Sequence, residues 1–317
     1  MTDRESMDSD PVKVLFIAGQ GRSGSTILHN ILGQLDGFTA IGEVRDIWQR
    51  GVIKDWMCGC RQPFSECEVW RKVLDHGFGG VSRAQAQEWY DATETFRTRH
   101  LPLTTIGPIR RRQLARVDDL LRALSQLYRS VRDVTGSRVI VDSTKHPPFG
   151  YLVTHAPGVD VRFLHFIRDA PAVSFSWAQK KEFQPGEMMS RKGPFKSALQ
   201  WSTRNWMTER FLFDDGRDLR MRYEDFLVDP RAAVGEIVDW IGETGTDLPF
   251  DGSHQAVLSH DNHSVFGNEV RFTKGPVTLR TDERWRSQMK AGDVRKVKAL
   301  TWPLRRRYGY TNRGMDE

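Results

Sequence analysis

The segment Gly19-Gln20-Gly21-Arg22-Ser23-Gly24-Ser25-Thr26 concentrates residue types that bind a tetrahedral oxyanion. Glycines let the backbone curl so that successive N–H groups face inward, and a helix opening directly after them adds positive potential. Arg22 supplies a rigid fork of donors, and Ser23, Ser25 and Thr26 supply hydroxyls. The spacing from Gly19 to Gly24-Ser25-Thr26 matches a Walker A loop except at one position. Ser25 stands where the lysine would be, and the cation has moved back to Arg22. A Walker lysine bridges the β- and γ-phosphates beside Mg²⁺, so its absence argues against an ordinary ATPase or GTPase. A glycine-rich turn without a ligand is the plainer alternative, but its place after an apolar, strand-like run speaks against it.

That strand is Val12–Ala18 (VKVLFIA), and a helical pattern from Ser25 to Leu35 follows the loop. Strand, glycine loop and helix in this order open a βαβ unit with a buried parallel strand. Further strands are predicted at Arg138–Asp142, Val161–Ile167 and Leu219–Tyr223, with helices after the last two at Ala170–Lys180 and Arg231–Ile241. Alternating strands and helices predict an α/β fold with a parallel sheet flanked by helices, like that of P-loop nucleotide-binding enzymes. Between residues 84 and 135 the pattern changes. Leu114, Val117, Leu120, Leu121, Leu124, Leu127, Tyr128 and Val131 recur at three- and four-residue steps, which predicts a helical insertion packed on the sheet. Residues 1–10 read as a flexible tail and 11–317 as a single domain.

Composition sets outer limits. Forty-seven basic against 41 acidic residues give a net charge of +6, which suits an anionic ligand without demanding nucleic acid. Arg305-Arg306-Arg307 reads as a solvated helix end, since no nucleic-acid motif accompanies it. No run reaches the ~18 apolar residues of a membrane span, and the polar, acidic start lacks the pattern of a signal peptide. A cytoplasmic protein is expected. Cys58, Cys60 and Cys67 cannot all pair, and a zinc site would need His76 or a second chain as fourth ligand. Reduced thiols in a compact loop, with no metal, are the expectation.

Another cluster lies about 145 residues after the glycine loop: Ile167-Arg168-Asp169 at a strand end, with Ser176 eight positions beyond Arg168. An arginine fork and a hydroxyl suit a dianionic phosphate. A salt bridge from Arg168 to Asp169 or Glu182 is the structural alternative.

Together the two clusters resemble sulfotransferases that use 3′-phosphoadenosine 5′-phosphosulfate (PAPS). The glycine loop resembles their 5′-phosphosulfate loop; Arg at position 22, where cytosolic members carry Lys, is similar to tyrosylprotein and bacterial small-molecule sulfotransferases. Arg168 and Ser176 resemble the Arg and Ser that hold the 3′-phosphate, with Lys180 where relatives place another cation. Arg222-Tyr223-Glu224-Asp225-Phe226 resembles a segment whose tyrosine lies at the nucleotide. The stretch from Ser264 to Trp285, containing Arg271, Lys274 and Gly275, resembles the late loop that closes over the 3′-phosphate.

The resemblance also assigns chemistry. Gly42-Glu43-Val44-Arg45 is similar to an element of tyrosylprotein sulfotransferases, which makes Glu43 the expected general base; His146 and His155 are the rivals. Asp142-Ser143-Thr144-Lys145-His146-Pro147 is similar to a segment whose lysine lies at the transferring group, so Lys145 and Arg22 are expected to stabilise the transition state. The cysteine segment resembles a stretch common in bacterial sulfotransferases and is expected to shape the acceptor pocket. The implied reaction moves a sulfuryl group to a hydroxyl of a small-molecule, sugar or lipid acceptor, releases adenosine 3′,5′-bisphosphate (PAP) and needs no metal. A Mg²⁺-dependent kinase with a degenerate loop and a non-catalytic nucleotide-binding regulator are the alternatives. The acceptor and the oligomeric state are not legible.

Overall fold

The computed structural model describes residues 10–180, 182–184, 187–214 and 216–310, with no side-chain placement for 181–187. The expected flexible tail lies, but for residue 10, outside the described residues. Five strands form the central sheet: β1 (Val12–Ala18), β2 (Phe38–Gly42), β3 (Val139–Lys145), β4 (Val159–Ile167) and β5 (Asp218–Arg222). Their order is β2-β3-β1-β4-β5, and every neighbouring pair is parallel. This is a P-loop-like α/β fold.

The apolar run of β1 follows from its position. Val14 and Phe16 belong to the core on one face, Leu15 and Ile17 to the core on the other. A central parallel strand covered on both faces favours apolar residues throughout, and the one polar residue of β1, Lys13, sits near its start and reaches out to pair with Glu243. The helix α1 (Ser25–Leu32) stops three residues earlier than its apolar pattern, and Leu35 stays buried in the turn that leads to β2.

The chain between β2 and β3 is helical and irregular and contains the expected insertion. Its last helix, Asp118–Thr135, buries Leu120, Leu121, Leu124, Leu127, Tyr128 and Val131 as one stripe in the sheet-facing core. Elements beyond the sequence-based expectation include β2 itself, the helices Glu68–Phe78, Pro147–Val153 and Pro194–Phe211, and a small antiparallel sheet of Phe250–Asp251, Gln255–Leu258 and Gly275–Thr278. The solvated reading of Arg305-Arg306-Arg307 needs correction. Arg305 is buried and holds Asp169 through two hydrogen bonds of 2.7 and 3.2 Å, and Arg307 pairs with Glu209.

The chain leaving β1 turns toward β2, and the chain leaving β3 crosses to β4 on the other side. Such a reversal opens a crevice at the carboxyl ends of the strands, where α/β folds bind ligands.

Candidate active site

The glycine loop sits in that crevice. Gly24 caps α1 with φ +87°, and a Cβ there would lie 2.3 Å from the Tyr223 ring. Only glycine fits both the left-handed backbone and the close approach. Helix α1 has no side-chain cap and no acidic residue in its first turn, so its leading N–H groups face the crevice unneutralised. Arg22 also has a left-handed backbone, φ 73°, which turns its side chain onto Trp177 at 5.1 Å. Its Nε is buried without a hydrogen-bond partner. Burial holds this guanidinium below its usual pKa despite the charges of Glu43 and Glu269.

Arg168 extends from the end of β4 with its guanidinium 4.7 Å from the centre of the Tyr223 ring. Its polar contacts are long: 3.5 Å to the Arg22 carbonyl, 3.3 Å to the Asp282 carbonyl and 4.0 Å to the Asp282 carboxylate. Asp169 is engaged by Arg305 and does not compete for it. Glu182 has no described side chain. Ser176 lies in the cavity wall beside Arg168.

On the opposite side, Lys145 Nζ donates to Glu43 Oε1 at 2.8 Å and to the Ser143 carbonyl at 2.5 Å. Lys145 has φ 64°, uncommon for a residue with a side chain, and is almost fully buried. The turn that carries it is tied down by Asp142. That buried carboxylate accepts from Tyr128 Oη at 2.7 Å, from Thr144 N at 2.8 Å and from Thr144 Oγ1 at 2.6 Å. Burial nevertheless pushes Asp142 up to about 6. Glu43 is positioned from behind by a residue that no sequence motif singles out. His29 Nε2 accepts the Gly42 N–H at 2.8 Å, and burial, with Lys145 nearby, lowers this imidazole to about 3, so it stays neutral and able to accept. Gly42 has φ +82° and packs on Ser264, where a Cβ would meet Cβ at 2.7 Å.

The rival histidines occupy different places. His146 reaches the cavity, where burial and the cations Arg204 and Arg45 hold it well below its usual pKa and so keep its ring neutral. His155 is bonded to the Tyr151 carbonyl, lies tilted against the Tyr151 ring and is away from the cavity wall.

Several expected residues lie elsewhere. Ser23 is buried beneath the loop, and Lys180 is exposed and off the wall. The late-loop assignment shifts by a few residues. Phe266, Gly267, Asn268 and Val270 line the cavity, whereas Ser264 backs Gly42 and Arg271 points inward to the Gly267 and Met57 carbonyls. Lys274 pairs with Asp261 at 2.8 Å, and Gly275 begins an outer strand. Loop tips and the side chains that hold them are indistinguishable in sequence, and only the fold separates them. The cysteine expectation also changes. His76 is exposed and faces Asp133, while His263 is the residue beside the three thiols.

Sequence reading misses Arg204 and Lys192. Arg204 lies on the helix Pro194–Phe211, half-buried at the cavity, its guanidinium held below its usual pKa by desolvation. Lys192 stacks on Trp177 at 3.3 Å; burial and the cations of Arg204, Lys196 and Arg22 push it down to about 7. No motif marks either residue.

The resulting cavity is about 600 Å³, within the range of nucleotide-sized sites. Arg22, Arg45, Arg50, Lys145, Arg168, Lys192 and Arg204 face Glu43, Asp46 and Asp282 across it. Seven basic side chains against three carboxylates, with orphaned donors and a lysine depressed by burial and by neighbouring cations, make a site that an extended polyanion would relieve. Among the described residues no helix is long and apolar enough to cross a membrane.

No curated protein matches the chain. Among solved structures it is similar to the sulfotransferase domain from the Synechococcus PCC 7002 olefin synthase, at 19% identity and a TM-score of 0.49, covering 98% of this chain and 99% of that one. The sulfotransferase domain from the curacin biosynthetic pathway matches at 14% identity and a TM-score of 0.48, covering 92% and 98%. Retinol dehydratase in complex with retinol and PAP matches at 13% identity and a TM-score of 0.36, covering 94% and 82%. A model of the sulfotransferase family matches residues 15–247, which take in the glycine loop, Glu43, Lys145, Arg168 and Tyr223. The chain belongs to the sulfotransferase family.

Proposed function

We propose that the protein transfers a sulfuryl group from PAPS to a hydroxyl of a small-molecule, sugar or lipid acceptor. The observation that carries this reading is the Glu43–Lys145 pair, 2.8 Å apart and facing the same cavity as the loop cation Arg22. In-line displacement at sulfur needs a base on the attacking oxygen and positive charge at the oxygen that leaves. Glu43 has one carboxylate oxygen on Lys145, which leaves Oε2 to take the acceptor proton. Lys145 and Arg22 stabilise the charge that develops between acceptor and leaving phosphate. The α1 N-terminus, Ser25 and Thr26 receive the 5′-phosphate, and Arg168 with Ser176 the 3′-phosphate. Lys192 and Arg204 add charge along the donor's path. Glu43 and Lys145 are held by hydrogen bonds before substrate arrives, so little reorganisation of this pair is needed during the reaction.

The kinase alternative differs in its ligand requirements. With Mg²⁺ absent, PAP should raise the Tm by several degrees, whereas ATP should raise it little even with Mg²⁺ present. Radiolabel from PAPS should move to a hydroxyl acceptor in a screened set. Stabilisation by Mg²⁺-ATP together with indifference to PAP would overturn the reading.

A further inference from the structure

Cys58, Cys60 and Cys67 have no part in the reaction described above. Their Sγ atoms and a ring nitrogen of His263 all lie within 4.8 Å of one another. His263 Nδ1 is 3.8 Å from Cys58 Sγ and 3.4 Å from Cys67 Sγ. A tetrahedral Zn²⁺ with sulfur at about 2.3 Å and nitrogen at about 2.05 Å sets its sulfur–nitrogen edges at ~3.6 Å. The two measured edges bracket that value. We propose that Cys58, Cys60, Cys67 and His263 form a closed Cys₃His site for a structural zinc ion.

The surroundings are built for it. Cys58 and Cys60 sit on a tight turn in which Cys58 N donates to the Gln62 carbonyl and Arg61 N donates back to the Cys58 carbonyl, both at 2.8 Å. Cys67 occupies the position before the helix Glu68–Phe78. There the first-turn N–H groups favour a thiolate. His263 is fixed on both backbone sides: its N–H donates to the Ala40 carbonyl at 3.2 Å, and its carbonyl accepts Trp70 Nε1 at 2.8 Å. Gly59 N donates to the Ser264 carbonyl at 2.8 Å, so the two ligand-bearing segments already meet. Four protein ligands complete a zinc tetrahedron and leave no open position for water, the arrangement of a structural site.

Its place gives it a task. Cys67 and His263 are 196 residues apart in sequence, and the stretch after His263 supplies Phe266, Gly267, Asn268 and Val270 to the cavity. A zinc ion would clamp this late loop to the segment that follows Glu43, joining both walls of the site. Binding is accompanied by loss of thiol protons, so the ion adds its binding free energy to the folded state.

The test uses the full chain, with any affinity tag removed, purified in reducing buffer without chelator and dialysed against Zn²⁺. Elemental analysis should find one zinc per chain, and replacement by Co²⁺ should give the strong visible bands of tetrahedral thiolate coordination. Cys67→Ser and His263→Gln should lose stoichiometric metal, while His76→Gln should retain it. Should those variants fail to fold, thiol labelling of the wild type decides: the three cysteines should resist modification until a strong chelator is added, and the Tm should fall with the zinc. Substoichiometric zinc with no tetrahedral cobalt spectrum would overturn the proposal. So would a His263→Gln protein that keeps full zinc and an unchanged cobalt spectrum, or thiols that label equally fast with and without chelator. None of these readouts depends on sulfuryl transfer.

Discussion

Replacing Arg168 by alanine isolates the 3′-phosphate contact, because the arginine has little else to do. Its hydrogen bonds to the Arg22 and Asp282 carbonyls are 3.5 and 3.3 Å long, and the Asp282 carboxylate is 4.0 Å away. Its guanidinium also stacks on the Tyr223 ring at 4.7 Å, a contact worth ~0.5–2 kcal/mol. The variant should therefore fold with only a modest loss of stability, and its backbone carbonyl keeps the Trp201 Nε1 bond at 2.9 Å. A phosphate would convert idle donors into charge-assisted bonds worth ~1.5–3 kcal/mol, so Arg168→Ala should weaken PAP binding by ~10–150-fold. Calorimetry without Mg²⁺ measures this, with adenosine 5′-phosphate as the comparison ligand. That nucleotide lacks the 3′-phosphate, so its affinity should change by no more than about twofold, closing a cycle that isolates the contact. Arg168→Lys should fall between, since it keeps the charge and loses the fork. A folded Arg168→Ala variant with unchanged PAP affinity would refute the assignment, as would an equal loss for both nucleotides.

Two other substitutions test the acceptor side and its support. Glu43→Gln keeps a partner for Lys145 but cannot take a proton, so turnover should fall ~10²–10⁴-fold with PAP affinity within about twofold of wild type; near-normal turnover limited by chemistry would place the base elsewhere. Asp142, pushed up to about 6 from 3.8, binds its proton more tightly folded than unfolded, so its contribution is full below about pH 4 and lost as pH rises through about 6. Asp142→Asn should thus gain on the wild type by up to ~3 kcal/mol between pH 4 and 7 in denaturant melts, and a pH-independent difference would show that burial does not set this carboxylate.

How far the sequence can be read depends on whether a residue's neighbours are local. The loop from Gly19 to Thr26, the strand before it and the Arg168–Ser176 pair are legible because each is a short motif on one strand-to-helix turn. Strand β2 is not, because Phe38–Gly42 (FTAIG) is interrupted by a threonine and an alanine and ends in a glycine, so no apolar run stands out. Arg204 escapes notice because nothing in its helix distinguishes a cavity-facing arginine from a solvated one. Arg305 misleads in the opposite sense: its partner Asp169 is 136 residues away, so a buried pair reads as part of an exposed basic run. The late loop is recognisable, but Arg271 is turned inward to the Gly267 carbonyl and Lys274 forms a surface pair with Asp261, so neither lines the cavity. His263 lies beyond reach for the same reason, separated from Cys67 by 196 residues.

The missing Walker lysine acquires a structural explanation from where the cations are mounted. Placing a lysine at position 25 would root the charge in the first turn of α1. Here Ser25 leaves that turn to its N–H groups, and charge arrives from the sides: Arg22 from the loop itself and Lys145 from the end of the adjacent strand β3. Both residues adopt left-handed backbone, φ 73° and 64°, a conformation that costs on the order of 1–3 kcal/mol for a residue with a side chain. The surroundings offset the cost, through Trp177 stacked with Arg22 and through Glu43 and the Ser143 carbonyl on Lys145. Strain of this kind persists only where neighbouring contacts fix it, and here those contacts hold two cations apart with a cavity between them. Gly24 couples this geometry to Arg168, because the Tyr223 ring that excludes a Cβ at Gly24 also stacks with Arg168. Loop, Glu43, Lys145 and Arg168 are thus positioned by packing together with the hydrogen bonds on Glu43 and Lys145, an arrangement that the proposed displacement along a line through one sulfur atom would use.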